Sequence, residues 1–155
     1  MPSILESIRV GSVLQFVAPM GFVVPKFFQA KHITILCVDY YPMDFTVSWY
    51  EFNGGDEAKI SLRQSGDFGF WAVGRPDAGG LKNPIIIAPT EDRFVITDRG
   101  AEKFSIKNIF APPAPFIKPV ETSEGTILSY GFDSPEPDGL FNILLLQQSE
   151  SNPSA

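Results

Sequence analysis

The stretch from Phe45 to Arg75, FTVSWYEFNGGDEAKISLRQSGDFGFWAVGR, decides the fold class of this chain. It holds three short runs that are rich in β-branched and aromatic residues, which favour strands. The runs are separated by the turn sequences FNGGDE and RQSGD, in which Gly supplies the positive φ that tight turns need. The stretch therefore predicts a strand, a turn, a second strand, a second turn and a third strand.

The same pattern continues on both sides of this stretch. Runs of strand-forming residues alternate with turn clusters such as APTED, DRGAE and DSPEPDG, at intervals typical of all-β folds. No stretch longer than about a dozen residues keeps a helical period without a breaker, so we expect no helix longer than a single turn. The candidate strands are 13–17, 26–30, 33–38, 45–50, 58–63, 68–73, 84–87, 93–97, 103–109, 116–118, 126–131 and 141–147.

The composition favours one packed domain that spans residues 1–155. Hydrophobic residues make up 44% of the 155-residue chain and charged residues 19%. The 14 Phe stand beside 14 Pro and 13 Gly, which is typical of a turn-rich fold with one core and not of a disordered chain or a helix bundle. An all-β domain is therefore expected, with residues 148–155 as a polar, flexible tail.

The net charge excludes two classes of partner. The formal net charge is -6, whereas a nucleic-acid-binding protein needs a basic surface that displaces counterions from the phosphates. An anionic membrane surface is disfavoured for the same reason. We therefore expect no nucleic acid among the partners and no membrane insertion.

The sequence predicts no cofactor and no export signal. Cys37 is the only thiol, so no intramolecular disulfide can form, and no His or Cys residues have the spacing of a zinc site. The start of the chain, MPSILESIRVGSVLQF, lacks a cationic region followed by an apolar run and a small-residue cleavage site. The expected location is cytoplasmic, or secreted without a signal peptide.

A weak internal repeat keeps a β-trefoil open as an alternative architecture. The segments FTVSWYEF, KFSIKNIF and LFNILLLQQ share a Phe-x-Ile/Val pattern, and a β-trefoil consists of three similar units. Their first Phe residues, Phe45, Phe104 and Phe141, are unevenly spaced by 59 and 37 residues. With the β-trefoil, a trefoil protease inhibitor also stays open as a function.

A second segment is similar to part of an immunoglobulin domain. In CVDYYPMDFTVSWY, Cys37 and Trp49 have a separation that suits the Cys of strand B and the buried Trp of strand C. The partner Cys of that fold is missing, and with it the Tyr-x-Cys signature, because Cys37 is the only cysteine. These absences count against the immunoglobulin interpretation.

The resemblance that covers most of the chain, about residues 5–147, is to the galectins, and in particular to the mushroom galectins. LESIRVGSVLQFVAP resembles the opening strand of that family, and the stretch from Phe45 to Arg75 resembles its central strand–turn–strand–turn–strand unit. PIIIAPTEDRFVITDRGAEKFSIKNI and ILSYGFDSPEPDGLFNILLLQ are similar to its later strands. The resemblance implies a two-sheet antiparallel β-sandwich, a galectin-like jelly roll, with a sugar site on the concave face of one sheet.

The residues at the galectin sugar site are mostly replaced in this chain. The family has a His followed four residues later by an Arg, and those places hold Lys59 and Arg63. The family's Asn, Trp, Glu and second Arg fall at positions that are here Ala72, Gly80, Asn83 and Ile85. Because β-galactoside recognition needs an aromatic ring under the sugar and directed hydrogen bonds, we predict that the chain does not bind lactose in the usual galectin manner.

The predicted ligand-binding residues lie on one strand and in the loop beyond the next. Along a strand, alternate side chains point to opposite faces, so Ile60 and Leu62 are expected in the core and Lys59, Ser61 and Arg63 outside. With the loop they could offer hydrogen-bond donors to an N-acetylated or anionic oligosaccharide. An equally ordinary interpretation is that they are solvated surface residues. The set is Lys59, Ser61, Arg63, Arg75, Asp77 and Asn83.

Two classes of function follow from the sequence. The preferred one is a non-enzymatic, galectin-like lectin with altered specificity, which the resemblance implies to be a homodimer or higher homo-oligomer. The other is a protein-interaction module or protease inhibitor on a β scaffold that has lost sugar binding. An enzyme is not expected, because the single histidine, His32, has no nearby Ser, Cys or Asp motif.

The two tryptophans are predicted to lie in different places. Trp71 alternates with Phe70 and Ala72 and is expected to pack in the core. Trp49 and Tyr50 are neighbours on one strand, so one of them is expected to be exposed.

Overall fold

The computed structural model describes residues 3–110 and 114–146. Within these ranges the chain forms twelve strands and three single 3₁₀ turns, and the all-β class is confirmed. Gln147 of the last candidate strand and the predicted tail lie outside the described residues. The turns are Ile4–Glu6, Gln29–Lys31 and Ala78–Gly80. The strands are β1 (Val13–Ala18), β2 (Gly21–Phe28), β3 (Ile33–Asp39), β4 (Phe45–Phe52), β5 (Glu57–Gln64), β6 (Phe70–Val73), β7 (Ile85–Ala88), β8 (Phe94–Asp98), β9 (Phe104–Asn108), β10 (Phe116–Thr122), β11 (Gly125–Phe132) and β12 (Leu140–Leu145).

Six of the strands form a closed ring of antiparallel pairs. The order around the ring is β1, β4, β5, β8, β9 and β12, and β12 pairs with β1 again. Closure satisfies the hydrogen-bonding groups that a free strand edge would expose. The ring is therefore a barrel whose interior must be filled by side chains.

The other six strands form three hairpins that cap one end of the barrel. The hairpins are β2–β3, β6–β7 and β10–β11. Strand β3 pairs with β7 and with β11, and a bridge joins Pro84, directly before β7, to Ser129 on β11. The three hairpins thus meet each other around one axis.

A barrel of six strands with three capping hairpins is the β-trefoil, the alternative architecture that the sequence repeat kept open. Opposite walls of the barrel face each other across one core, as the layers of a sandwich do. The hydrogen bonding, however, is continuous through all twelve strands and does not divide into two separate sheets.

The threefold repeat is regular once the strand pairing is known. Strands β4, β8 and β12 carry the equivalent residues Phe45, Phe94 and Phe141, which are spaced by 49 and 47 residues. In the strand pairing of the barrel, these residues lie opposite Leu14, Ile60 and Phe104 on the preceding barrel strands. Phe104 is thus a partner of Phe141 and not its equivalent, which is why the spacing in the sequence looked uneven.

The core contains three residues for each position of the repeat. The barrel and the cap share one cluster, in which Trp71 is 1% exposed, so its predicted core packing is confirmed. The centroid of its ring lies 4.9 Å from the ring centroid of Phe16, 5.1 Å from that of Phe45 and 5.9 Å from that of Phe94. The rings are tilted or edge-to-face. The equivalent buried sets are Phe16, Leu62 and Ile106; Val47, Ile96 and Ile143; Val23, Trp71 and Ile117; and Leu36, Ile85 and Leu128.

The end of the barrel opposite the cap is closed by the turn Ile4–Glu6. Leu5 is fully buried, and the Tyr50 hydroxyl donates to its carbonyl oxygen at 2.7 Å. Trp49 is half-buried beneath the Arg93 guanidinium, which lies 3.7 Å from the ring centroid. Neither Trp49 nor Tyr50 is exposed, so that expectation is wrong: a register shift between Val47 and Trp49 and these two contacts cover both rings.

Candidate functional site

The three predicted ligand residues on β5 do not share an outer face. Lys59 is exposed, but Ser61 is fully buried and its hydroxyl donates to the carbonyl oxygen of Asp92 at 3.0 Å. The segment 89–93 between β7 and β8 crosses over β5 at this point, and the Asp92 carboxylate also accepts from the backbone N–H of Val73 at 2.8 Å. The expectation that Ser61 faces outward is therefore wrong, because another loop covers the strand.

The other predicted residues lie apart from Lys59. Arg63 is half-buried on β5, whereas Arg75 and Asp77 are exposed on the loop between β6 and β7, in the cap. Asn83 lies in the same loop with φ 50°, and its Nδ2 donates to the carbonyl oxygen of Tyr130 at 3.0 Å. The Asn83 amide thus joins two hairpins of the cap.

Lys59 lines only a small depression of about 110 Å³ near the turn between β4 and β5, together with Glu51, Asn53, Glu57 and Ala58. None of the other five predicted ligand residues lines this depression. The described structure therefore does not gather the predicted set into one groove.

A different surface concentrates exposed apolar side chains. We call it the loop patch: Phe27 on β2; Tyr40, Tyr41 and Met43 in the loop between β3 and β4; and Phe68 in the loop between β5 and β6. Tyr40 is 91% exposed and Phe68 is 79% exposed. The loop patch holds five of the ten large hydrophobic side chains that are exposed in the described residues.

Three members of the loop patch border a single groove of about 510 Å³. They are Phe27, Met43 and Phe68, which come from three different elements. Pairing between Thr34 and Ile87 joins β3 to β7 beside the groove. The remaining lining residues are Pro25, Thr34, Gln64, Asp67, Gly69, Ile87, Ala88 and Pro89.

Local hydrogen bonds hold the backbone of Phe68. The Asp67 carboxylate accepts from the Phe68 backbone N–H at 2.7 Å, and Gln64 Nε2 donates to the Phe68 carbonyl oxygen at 2.6 Å. Gly69 follows at φ 117°, and a Cβ at this position would clash with Ile87 Cγ2. The loop therefore lies close against β7, and the Phe68 ring projects from a fixed backbone.

The loop that carries Tyr40 is held in a similar way. The Asp39 carboxylate accepts from the Tyr40 backbone N–H at 2.7 Å, and Gln15 Nε2 donates to the Asp44 carboxylate at 2.8 Å. The backbone N–H of Ser65 donates to the carbonyl oxygen of Asp44 at 3.2 Å. This last bond ties the two loops of the patch to each other.

The charges next to the loop patch are mostly acidic, with Lys26 beside Phe27 as the exception among its sequence neighbours. Asp67 lines the groove, and none of the groove's described lining residues is Lys or Arg. Asp39 precedes Tyr40 directly, and Asp44 follows Met43 directly. The patch therefore combines exposed rings with carboxylates.

The described residues hold no group of three or more His, Cys, Asp or Glu side chains that is placed to bind a metal ion. Cys37 is buried, and burial raises the pKa of its thiol to about 11 from an ordinary 9.0, with Asp39 raising it further and Lys26 lowering it. A thiol with a raised pKa is a poor nucleophile at neutral pH. Within the described ranges, no helix has the length and apolar character needed to span a membrane.

Comparison with protein-family models, with curated proteins and with solved structures finds no match to this chain.

Sequence reasoning missed the loop patch. Phe68 was placed at the start of a candidate strand, but β6 begins at Phe70 and Phe68 lies in the preceding turn. A partial signal for the patch is an Asp followed by an aromatic residue inside a turn, as in Asp39-Tyr40 and Asp67-Phe68, although Asp44-Phe45 shows the same pair with Phe45 buried at the start of β4. In a turn, such an Asp commonly bonds nearby backbone, and the next side chain then has no strand partner to cover it.

Proposed function

We propose that this protein is a non-enzymatic binding module that recognises another protein through the loop patch. The observation that carries the proposal is that exposed Phe27, Met43 and Phe68 border one groove, and that the loop of Met43, which also carries exposed Tyr40 and Tyr41, is bonded to the loop of Phe68. Aromatic residues and Met are enriched in protein–protein interfaces, and Tyr is common among residues that dominate binding energy. A contiguous apolar patch of this kind marks an interaction site.

The fixed backbone under Phe68 supports the same proposal. A side chain that is already held in its binding position loses less conformational entropy when a partner arrives. Phe68 has both its backbone N–H and its carbonyl oxygen bonded by neighbouring side chains, although the ring itself is 79% exposed. This arrangement suits an anchor that inserts into a partner.

The shape of the surface favours a macromolecule over a small ligand. Small-molecule sites are concave and bury most of the ligand's surface. Tyr40 and Phe68 instead stand almost fully in solvent. A protease is one class of protein partner, in keeping with the protease-inhibitor alternative, and such a complex would use the two loops as contact segments.

The proposal is tested by immobilising the wild-type chain and the double variant Tyr40→Ala/Phe68→Ala and comparing the proteins that each of them captures. Retained proteins are identified by mass spectrometry, purified and measured by calorimetry, and inhibition is measured against a panel of serine and cysteine proteases. Ile109→Ala is the matched control, because Ile109 is also exposed but directly follows β9, which contributes no residue to the lining of the groove. The expected result is a purified partner whose affinity falls at least tenfold in the double variant and not in the control.

A different outcome would overturn the proposal. If every purified partner binds the double variant as well as it binds the wild type, the loop patch is not the binding surface. Sedimentation of the wild type, the double variant and the control at several concentrations tests whether the patch binds a second copy of this chain instead of another protein. A homodimer formed through the patch would dissociate in the double variant alone.

Glycan binding is a second candidate, which one observation favours. An exposed aromatic ring beside a carboxylate and an amide is a combination that sugar sites use, and Phe68 stands beside Asp67 and Gln64. A glycan array probed with wild type and with Phe68→Ala tests it. Specific binding that disappears in the variant would support a lectin. If the wild type binds none of the glycans, this candidate function is wrong.

A further inference from the structure

We propose that the loop patch binds an arginine side chain of its protein partner, with the guanidinium stacked on the Phe68 ring and paired with the Asp67 carboxylate. This inference rests on the proposed function, and it names the chemistry that the partner must present. The occupant is a partner segment in which an Arg lies next to a large apolar residue.

The first observation is a unit that occurs twice in the patch. In Asp67-Phe68 and in Asp39-Tyr40, the carboxylate accepts from the backbone N–H of the aromatic residue at 2.7 Å. Each carboxylate is thereby fixed at the base of an exposed ring. A ring face with an anion at its base is a site for a cation, since the face and the carboxylate both attract positive charge.

The second observation is that no cation of this chain occupies either unit in the described structure. The four described contacts between a cation and a ring involve Trp49, Phe116 twice and Phe132. The two described salt bridges join Lys31 to Glu124 and Lys107 to Glu57. The rings and carboxylates of the loop patch therefore remain open to a cation from elsewhere.

The third observation concerns the floor of the groove. Phe27, Met43 and Ile87 line it with apolar atoms beside Asp67. A long basic side chain can lay its methylene stem along such a surface while its head group reaches the carboxylate. Arginine suits the site better than lysine, because the planar guanidinium stacks on a ring and bonds a carboxylate with two N–H groups.

The net charge of -6 also favours a basic partner. A negatively charged protein attracts a basic partner over a distance and speeds the encounter. The same charge opposes a second copy of this chain as the occupant.

The test uses a library of random peptides displayed on phage, selected on the immobilised wild-type chain with Phe68→Ala as the counter-selection. We expect the enriched peptides to carry Arg, or less often Lys, next to a large apolar residue. Replacing that Arg by citrulline, which keeps the shape and removes the charge, is expected to weaken binding about tenfold. Raising the salt concentration from about 50 to about 500 mM is expected to weaken it as well.

Asp67→Asn isolates the carboxylate. The asparagine side-chain oxygen can still accept from the Phe68 backbone N–H, so the turn is kept while the charge is lost. The affinity of the selected peptides is expected to fall about fivefold. Asp77→Asn is the matched control, because Asp77 is an exposed carboxylate in the cap loop, outside the patch, and it should leave the affinity unchanged.

The outcomes separate this inference from the proposed function. Peptides that depend on Phe68 but carry no basic residue, or whose affinity does not change in Asp67→Asn, would overturn the arginine proposal and leave the protein-binding proposal intact. A selection that yields no Phe68-dependent peptide would count against both. Circular dichroism and thermal unfolding of each variant confirm that the fold is retained.

Discussion

Gln64 and Phe68 are joined by a hydrogen bond of 2.6 Å, in which the Gln64 side-chain amide donates to the Phe68 carbonyl oxygen. Gln64 is the last residue of β5, a strand of the barrel wall, and Phe68 is at the outer end of the loop that follows. The Gln64 backbone N–H also donates to the carbonyl oxygen of Gly69 at 3.0 Å. The last residue of a barrel strand thus holds the backbone of the loop at Phe68 and Gly69, while the Phe68 ring stays exposed.

Gln64→Ala is expected to loosen this loop without unfolding the barrel. Losing one side-chain hydrogen bond costs about 1 kcal/mol of the free energy of unfolding. Hydrogen exchange of the Phe68 amide should accelerate about fivefold, as that free energy implies for a local opening. Gln29→Ala, an exposed glutamine of the turn Gln29–Lys31, is the control. Equal protection of the Phe68 amide in both variants would contradict the role assigned to Gln64.

Gly69→Ala is expected to destabilise the protein more than Gly66→Ala does, although both residues lie in the same loop at positive φ. An alanine at Gly66, where φ is 73°, costs about 1 to 2 kcal/mol for its nearly left-handed backbone, whereas φ 117° at Gly69 lies outside that region and disfavours alanine more. At Gly69 the added Cβ also clashes with Ile87, whereas nothing lies within 4 Å of a Cβ at Gly66. Urea unfolding of the two variants measures the difference, which should be about 1 to 3 kcal/mol. Equal free energies of unfolding would mean that the loop moves away from β7 at little cost.

Asn83→Ala is expected to lower the free energy of unfolding by about 1 to 3 kcal/mol, because the bond to the Tyr130 carbonyl oxygen is lost and alanine disfavours φ 50°. Asp77→Ala, an exposed residue of the same loop, should change it by no more than about 0.5 kcal/mol. Denaturant unfolding of both variants distinguishes a structural Asn83 from a ligand-binding one. A stable Asn83→Ala variant that loses glycan binding would support the ligand role predicted from the sequence.

Cys37 makes the stability depend on pH in the alkaline range. Burial raises the pKa of the thiol from 9.0 to about 11, so the folded state holds the proton more tightly than the unfolded state does. This contribution to stability is fully present below about pH 9 and is lost as the pH rises toward 11. The urea midpoint of the wild type should therefore fall more between pH 8 and pH 11 than that of Cys37→Ala. Parallel pH curves for the two proteins would show that the thiol does not ionise differently on unfolding.

The repeat shows how far sequence reasoning reached and where it failed. The pattern Phe-x-Ile/Val predicts a repeat at Phe45, Phe104 and Phe141. In the structure the repeated residue between Phe45 and Phe141 is Phe94, which begins β8 in the segment FVITD. The choice between Phe94 and Phe104 depends on which strand pairs with which, since Phe104 faces Phe141 across β9 and β12. Strand pairing is a long-range property that a local pattern does not contain.

The prediction that the β5 residues share an outward face was wrong for a related reason. Alternation along β5 correctly placed Ile60 and Leu62 in the core, and it placed Ser61 outside. The segment that covers Ser61 is about thirty residues further along the chain, at Asp92. Alternation tells which side chains share a face of a strand, but not what packs against that face.

The sequence by itself determined the all-β class, most of the strands and the burial of Trp71, because turn residues, β-branched runs and alternation act over a few neighbouring positions. Only the tertiary structure decided that the strands close into a threefold barrel with a cap, that Ser61 is covered, and that Phe27, Met43 and Phe68 meet at one groove. These three residues lie on elements separated by long intervals of sequence, and what unites them is the closure of the barrel and the approach of its loops.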